Sequence, residues 1–249
     1  MLELINVTKV FNPGKANEII ALMGLNLQIS EGEFVVIVGP NGSGKSTLLN
    51  CISGRDFANE GDVIISGNHV TRLAEHQRSE WIARVFQNPL IGTASDLSIL
   101  ENFRLASLRT KSKSLNIGIT EDFKINIREK VSVLGMGLED KLHQPMGSLS
   151  GGQRQALTLL MAVTDDLQIL LLDEPTAALD PRSAEAVMKT ADKLINEYKL
   201  TAILITHNMK EAMSYGNRII QMGEGRVLRD LNSTEKAQLD NANLYEWFF

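Results

Sequence analysis

Gly39-Pro-Asn-Gly-Ser-Gly-Lys-Ser-Thr47 is the stretch whose reading decides the fold of this 249-residue chain. It fits G-x-x-x-x-G-K-[ST], with Gly39, Gly44, Lys45 and Ser46 at the fixed positions. Before it, Phe34-Val-Val-Ile-Val38 is a continuous apolar run bounded by turn residues and reads as a buried strand. After it, Ser46-Thr-Leu-Leu-Asn-Cys-Ile52 reads as a helix closed by Gly54. A strand feeding a glycine loop that opens a helix makes a nest of backbone N–H groups, and the helix adds roughly half a positive charge at its N-terminus. The main chain through Pro40, Asn41, Gly42, Ser43 and Thr47 is therefore expected to hold a polyphosphate. Lys45 is placed to reach its β- and γ-phosphates, and the Ser46 hydroxyl to ligate Mg²⁺. The motif predicts a nucleoside triphosphate site.

Composition bounds the rest. Hydrophobic residues make up 43% and charged residues 22%, ordinary values for a globular chain long enough to bury a real core. A net charge of −5 leaves no basic footprint, which argues against nucleic acid as a partner. The single cysteine, Cys51, excludes an internal disulfide framework or a cysteine zinc site and is expected to be packed in the helix after the phosphate loop. No run approaches the ~18 apolar residues of a membrane span, and Met-Leu-Glu-Leu-Ile-Asn does not read as a signal peptide. The expectation is a soluble intracellular chain whose membrane role, if any, comes through partners.

Along the chain, the first 38 residues read as strands and turns, with clean alternation in Leu25-Asn-Leu-Gln-Ile29 and a turn at Asn12-Pro-Gly14. Asp62-Val-Ile-Ile-Ser66 reads as another strand, and Trp81-Ile-Ala-Arg-Val-Phe86 leads into Gln87 before Pro89 stops it. From there to Leu149 the pattern is helical: Phe123, Ile127, Val131 and Leu134 share one face. Lys111 to Lys113 reads as a solvated polar link before it. Gln168-Ile-Leu-Leu-Leu-Asp173 and Ala202-Ile-Leu-Ile-Thr206 are further buried strands. Between them a helix starts with Asp180 as N-cap and Pro181 at its first position, carrying Ala184, Val187, Met188, Ala191, Leu194 and Ile195 on one face. Arg218-Ile-Ile-Gln-Met222, a Gly223-Glu-Gly225 turn and Arg226-Val-Leu228 read as a late hairpin. This alternation predicts an α/β fold: a P-loop NTPase core with a mostly parallel sheet, an N-terminal antiparallel β part and an inserted helical subdomain. The boundaries expected are a core over about 1–87 and 163–249 and a helical part over about 88–162, all in one domain of 1–249.

Parallel strands bring their C-terminal ends to one sheet edge, where ligands bind. Gln87, the Asp173–Glu174 pair and His207 all lie at such ends, beside the phosphate loop. Asp173 closes an apolar strand, the position of an acid that holds Mg²⁺ through water. Glu174 fits a general base for an attacking water, His207 can bond the γ-phosphate and align base and water, and Gln87 can reach Mg²⁺ or the water. In Leu149-Ser-Gly-Gly-Gln153, Ser150 reads as the N-cap of a second helix whose N-terminus suits an anion.

GPNGSGKST, the glutamine of VFQNP, LSGGQ, ILLLDEP with the AALD after it, and the histidine of ITHN occur in one order over essentially the whole chain. In this the sequence resembles the nucleotide-binding subunit of ATP-binding cassette (ABC) transporters. The resemblance implies ATP and Mg²⁺ as ligands and a homodimer of cassettes paired head to tail. In that dimer Ser150, Gly151, Gly152 and Gln153 would contact the nucleotide held by the other copy, and Asp180 would lie at the seam. Phe11 matches the position of an aromatic stacked on adenine; a core phenylalanine is its other reading. The resemblance further implies work at the cytoplasmic face of the cell membrane with two transmembrane permease subunits, coupled through the groove near Gln87, and with an extracytoplasmic substrate-binding protein. The rival class, soluble cassette ATPases acting on DNA or ribosomes, carries long coiled coils between the motif halves or two cassettes per chain; here the stretch from Gln87 to Leu149 is short and the phosphate loop single. FNPG with NEIIAL, FQNPLIGTASDLSILEN and THNMKEAMSYGNR further resemble the subgroup that serves branched-chain-amino-acid-type permeases and tryptophan/tyrosine-type binding proteins, which implies uptake of an amino acid or related small molecule. Asn243-Leu-Tyr-Glu-Trp-Phe-Phe249 has two readings, a tail docked on the late hairpin or an anchor at an interface.

Overall fold

The computed structural model describes residues 1–109, 118–164, 167–240 and 244–248. Two long strands, β1 (Leu2–Phe11) and β2 (Ile19–Ile29), precede the buried strand β3 (Phe34–Val38), the helix α1 (Lys45–Ser53), β4 (Glu60–Ile65) and the short β5 (Asn68–His69). Next come α2 (Glu75–Arg78), β6 (Ile82–Val85), α3 (Ile99–Ala106), α4 (Glu121–Ser132), a 3₁₀ turn (Met146–Ser148) and α5 (Gly151–Ala162). The chain continues through β7 (Ile169–Asp173), α6 (Pro181–Tyr198), β8 (Thr201–Ile205), α7 (Met209–Ser214), β9 (Arg218–Gly223), β10 (Arg226–Leu231) and α8 (Ser233–Ala237). The strands form two sheets, a four-stranded antiparallel one ordered β2-β1-β4-β5 and a six-stranded one ordered β10-β9-β3-β8-β7-β6. In the second sheet every pairing is parallel except that of β9 with β10.

The apolar strands have no polar face because each is covered on both sides. Phe34, Val36 and Val38 of β3 face one apolar cluster, while Val35 and Ile37 face a second. The same split divides Leu170 and Leu172 from Ile169 and Leu171 in β7, and Ala202 and Leu204 from Ile203 and Ile205 in β8. The first cluster is completed by helices α3, α5 and α6, the second by α1 and the antiparallel sheet. Each fully buried Val, Ile or Leu is worth roughly 1.5–3 kcal/mol, so these three strands anchor the domain.

Local signals set the helix ends. Gly54, at a φ of 81°, closes α1 with its N–H on the Asn50 carbonyl, a left-handed turn that glycine enters without cost. Asp180 caps α6 by accepting from the Arg182 and Ser183 amides, with Pro181 behind it. Val187, Met188, Ala191, Leu194 and Ile195 of the expected apolar face are buried, with Ala184 at its rim. Ile127 and Val131 of α4 are buried as expected, with Phe123 and Leu134 packed against the same cluster.

The helical stretch shares its apolar core with the sheet. Ile99, Phe103, Ile127, Val131 and Leu157 belong to the same cluster as Val85, Leu170 and Leu172. The aromatic tail is docked on its own chain: Leu244 and Trp247 are buried in that cluster, and the Arg229 guanidinium of β10 lies 5.1 Å from the Trp247 ring centroid. Asn243, Phe249 and the Lys111 to Lys113 link lie outside the described residues. Among the described residues no helix is long and apolar enough to cross a membrane.

Candidate nucleotide-binding site

The phosphate loop sits at the end of β3, one of the two middle strands of the six-stranded sheet, between β9 and β8. Its glycines are required by close approach. A Cβ on Gly39 would lie 2.2 Å from the Met222 carbonyl oxygen, and one on Gly44 2.5 Å from that of Ala21. The loop is braced by the late hairpin, since the Gly225 N–H donates to the Ser43 carbonyl at 3.1 Å and the Met23 N–H to the Gly225 carbonyl at 3.0 Å. The far end of α1 is held by Arg78, 1% exposed, which donates to the Cys51 and Ile52 carbonyls at 2.6 and 2.8 Å and also to those of Thr71 and Leu73. A cation at a helix C-terminus opposes the negative end of its dipole, so the helix that presents its N-terminus to the ligand is fixed at both ends.

Lys45 is buried, and its ammonium donates to the Gly39 and Pro40 carbonyls at 2.7 and 2.9 Å. Burial pulls it below its ordinary pKa, while Glu174 and Asp173 act in the opposite direction. Beside the loop, Glu174 has a φ of 47°, an uncommon left-handed conformation for a residue other than glycine. Its amide donates to the Ile205 carbonyl at 3.0 Å, and its carboxylate oxygen Oε1 lies 2.9 Å from His207 Nε2. A cleft of about 320 Å³ is lined by Phe11, Ile19, Ala21, the loop from Asn41 to Thr47, Glu174 and His207. Phe11 belongs to neither apolar cluster; it is half-buried at the end of β1, with the Lys9 ammonium 5.0 Å from its ring centroid. Its position on the cleft wall goes against the core reading.

Gln87 and Asp173 stand at the same sheet edge but do not line that cleft. Gln87 is exposed just beyond β6. Asp173 is engaged, its Oδ2 accepting from Arg84 Nη2 at 2.5 Å. Ser150, Gly151, Gly152, Gln153 and Asp180 are also absent from the cleft wall. Ser150 caps α5 in a reciprocal box with Gln153, at 3.3 Å from the Gln153 amide to the Ser150 hydroxyl and 3.1 Å from the Ser150 amide to the Gln153 side chain. Close helix packing explains Gly152, where a Cβ would lie 2.8 Å from the Ser183 Cβ of α6. Asp180 is exposed, and hydrogen bonds from Ser183 hold its carboxyl below the ordinary value.

Three residues that the sequence did not single out tie this edge together. Gln155 of α5, fully buried, donates from one side-chain nitrogen to the Phe86 and Pro175 carbonyls, both at 2.9 Å. Glu211 of α7 accepts from Thr176 at 2.7 Å and Thr206 at 2.5 Å, joining the loop after Glu174 to the one that carries His207. Arg84 is the third. Its only signal was a lone charge inside the apolar run before Gln87; Gln155 and Glu211 had none, since a polar residue on a helix ordinarily faces water.

A central phosphate loop, an Asp–Glu pair and a histidine on one edge of a parallel sheet, with a capped LSGGQ helix beside them, define an ATP-binding cassette. The chain belongs to the ABC transporter family, whose sequence profile matches residues 22–177. It is 39% identical to the tyrosine transport ATP-binding protein of Clostridioides difficile (strain R20291), over 100% of this chain and 98% of that one. It is 33% identical to the phosphonates import ATP-binding protein PhnC of Lactobacillus delbrueckii subsp. bulgaricus, over 97% and 94%. Among solved structures, the dimeric cassette MJ0796 in a post-hydrolysis state bound to ADP and Pi superposes with a TM-score of 0.79 at 34% identity, covering 94% of this chain and 99% of that one. The chain is thus an ATPase subunit of an ABC transporter.

Proposed function

We propose that two copies of this chain pair head to tail, each closing its LSGGQ segment on ATP held by the other, and that hydrolysis separates them to drive uptake through separate membrane subunits. The observation that carries this reading is the split site. The phosphate cleft is lined by Phe11, the phosphate loop, Glu174 and His207, while Ser150 to Gln153, the other anion-ready helix end, contributes nothing to it within one chain. A second copy can supply it, and Asp180, exposed beside that helix, falls at the seam.

In this mechanism Phe11 stacks on the base, the amides from Gly39 to Thr47 bind the phosphates, and Lys45 exchanges its loop carbonyls for β- and γ-phosphate oxygens. Glu174 takes the proton of the attacking water, and His207, already 2.9 Å from the Glu174 carboxylate, keeps base and water in line with the γ-phosphorus. Ser46, Gln87 and Asp173 would hold Mg²⁺. All are oxygen donors, Ser46 and Gln87 are exposed, and among the described residues no cluster of acids or histidines forms a cage of its own. That donor set suits an ion that arrives with the nucleotide and keeps most of its ligands from phosphate and water. When bound it neutralises charge on the β- and γ-phosphates.

The permease is expected at the cleft of about 610 Å³ between the end of β6, α3 and α5, next to exposed Leu90, Ile91 and Leu105. The helical stretch over about 88–162 would carry the motion there, on the cytoplasmic face of the membrane. The likeness to a tyrosine transport protein supports an amino acid or related small molecule as cargo, delivered by an extracytoplasmic binding protein. The test is size-exclusion chromatography with light scattering on Glu174→Gln with and without ATP. A dimer that forms with ATP and is lost on adding Ser150→Arg supports the pairing; a monomer in ATP rejects it.

A further inference from the structure

Arg84 is the outlier of the sheet. It lies in β6 between Ala83 and Val85, with a side chain only 7% exposed. A guanidinium taken out of water needs several partners to offset its desolvation. Here Nη2 donates to Asp173 Oδ2 at 2.5 Å and Nη1 to Asn50 Oδ1 at 2.7 Å, Cζ lies 4.9 Å from the Phe86 ring centroid, and among the described residues the buried Nε has no hydrogen-bond partner. One side chain therefore joins three elements of the nucleotide site. Asn50 belongs to α1, whose first turn carries Lys45 and Ser46; Asp173 ends β7; and Phe86 directly precedes Gln87.

We propose that Arg84 is a second internal cation of this site besides Lys45, a positioning residue that holds Asp173 before Mg²⁺ arrives and so sets how strongly nucleotide binding depends on Mg²⁺. The inference rests on the reading of Asp173 as the acid facing the metal. Without Arg84 the Asp173 carboxylate, 16% exposed, loses its ion-pair partner, keeps only the longer-range attraction of Lys45, and adds negative charge beside the phosphate cleft. Nucleotide without metal is then repelled, whereas Mg²⁺ bound with the nucleotide supplies the missing charge. With Arg84 present the carboxylate is already half-compensated, and the ion gains less.

This separates a charge-setting role from a merely structural one. A structural defect weakens nucleotide binding equally with and without metal. Loss of this second cation weakens binding mainly in EDTA and lowers the Mg²⁺ concentration at half-saturation. The probe is a fluorescent ADP analogue titrated into the full chain in EDTA and in saturating MgCl₂. For Arg84→Met the ratio of Kd in EDTA to Kd in Mg²⁺ is expected to rise about tenfold or more over wild type, given the strength of a unit charge at close range in a partly buried site. Arg84→Gln carries the same expectation should the methionine variant fail to fold. Arg84→Lys, which keeps the charge but not the planar fork, should stay within about threefold of wild type. An unchanged ratio in the neutral variants, or a lysine variant that shifts as far as they do, overturns the proposal while leaving the nucleotide site intact. A wild-type chain that binds the analogue equally with and without Mg²⁺ takes down both this inference and the metal site beneath it.

Discussion

His207 Nε2 lies 2.9 Å from Glu174 Oε1, although the two residues follow the ends of different strands and are brought together only because β7 and β8 run parallel and adjacent. Glu174 occupies a left-handed conformation at a φ of 47°, which a non-glycine residue adopts at a cost of about 1–3 kcal/mol. Its backbone is held there by the bond to the Ile205 carbonyl. Strain fixed at a carboxylate facing the phosphate loop fits a base with one required orientation. Glu174→Gln should therefore keep nucleotide binding and lose roughly 10²–10⁴-fold in hydrolysis, with the ATP-bound dimer accumulating. Steady-state phosphate release checks this, and turnover near the wild-type rate removes Glu174 from the role.

Lys45→Ala should act on binding itself. The ammonium that now satisfies the Gly39 and Pro40 carbonyls is the group that would meet the phosphates. Losing one charge-assisted contact of ~1.5–3 kcal/mol lowers affinity about tenfold or more. Isothermal titration with a non-hydrolysable ATP analogue and Mg²⁺ measures it, and an unaltered Kd assigns Lys45 to holding the loop alone.

Phe11→Ala should weaken ATP and GTP alike, because a ring stacked on a π-face reads few of the base's edge groups. The expected loss is ~1–3 kcal/mol for each nucleotide, without a change in melting temperature, since Phe11 lies outside both apolar clusters. A lower melting temperature with unaltered affinities would return Phe11 to a packing role.

Trp247→Ala should destabilise the isolated chain by about 3–5 kcal/mol, the cost of a large cavity. The indole is 2% exposed and, among the described residues, its Nε1 has no hydrogen-bond partner, so packing and the Arg229 contact carry the effect. Trp247→Phe should recover most of it. Were urea denaturation unaltered and ATP-dependent dimerisation impaired instead, the tail would be an interface anchor.

Lys236 predicts a pH dependence of stability. Burial pulls its ammonium from 10.5 down to about 8. Between those values the unfolded chain still binds the proton that the folded chain has released, so this group's contribution to stability rises as pH goes from about 8 to 10.5. The full gain is at most roughly 3 kcal/mol. A neutral amine can still donate to the Tyr215 and Gly216 carbonyls that Lys236 contacts. Urea midpoints near pH ~7.5 and ~9.5 should rise more for wild type than for Lys236→Met, and equal changes would assign the effect to other groups.

What the sequence determined by itself is what depends on neighbours along the chain. The phosphate loop, the Gly54 stop, the Asp180 cap with Pro181, the Ser150 cap and the alternation of Leu25 to Ile29 are local chemistry, since caps, turns and side-chain periods act within about four residues. Strand ends also placed Gln87, Asp173, Glu174 and His207 on one edge, because parallel strands share a direction. Tertiary structure decided whatever required two distant segments to meet. The helical stretch reads as an insertion by its period, but only the fold shows that Phe103 and Leu157 share one apolar cluster with Leu170 and Leu172. The aromatic tail could have sought an interface until Trp247 found Arg229. Gln155 stands in a helix with nothing local to show its purpose, and Arg84 in a strand where a lone charge was its one local sign; their partners, the Phe86 and Pro175 carbonyls and Asp173, lie many residues away in the chain. A buried polar group is satisfied only by what the topology brings to it, and no local pattern encodes that.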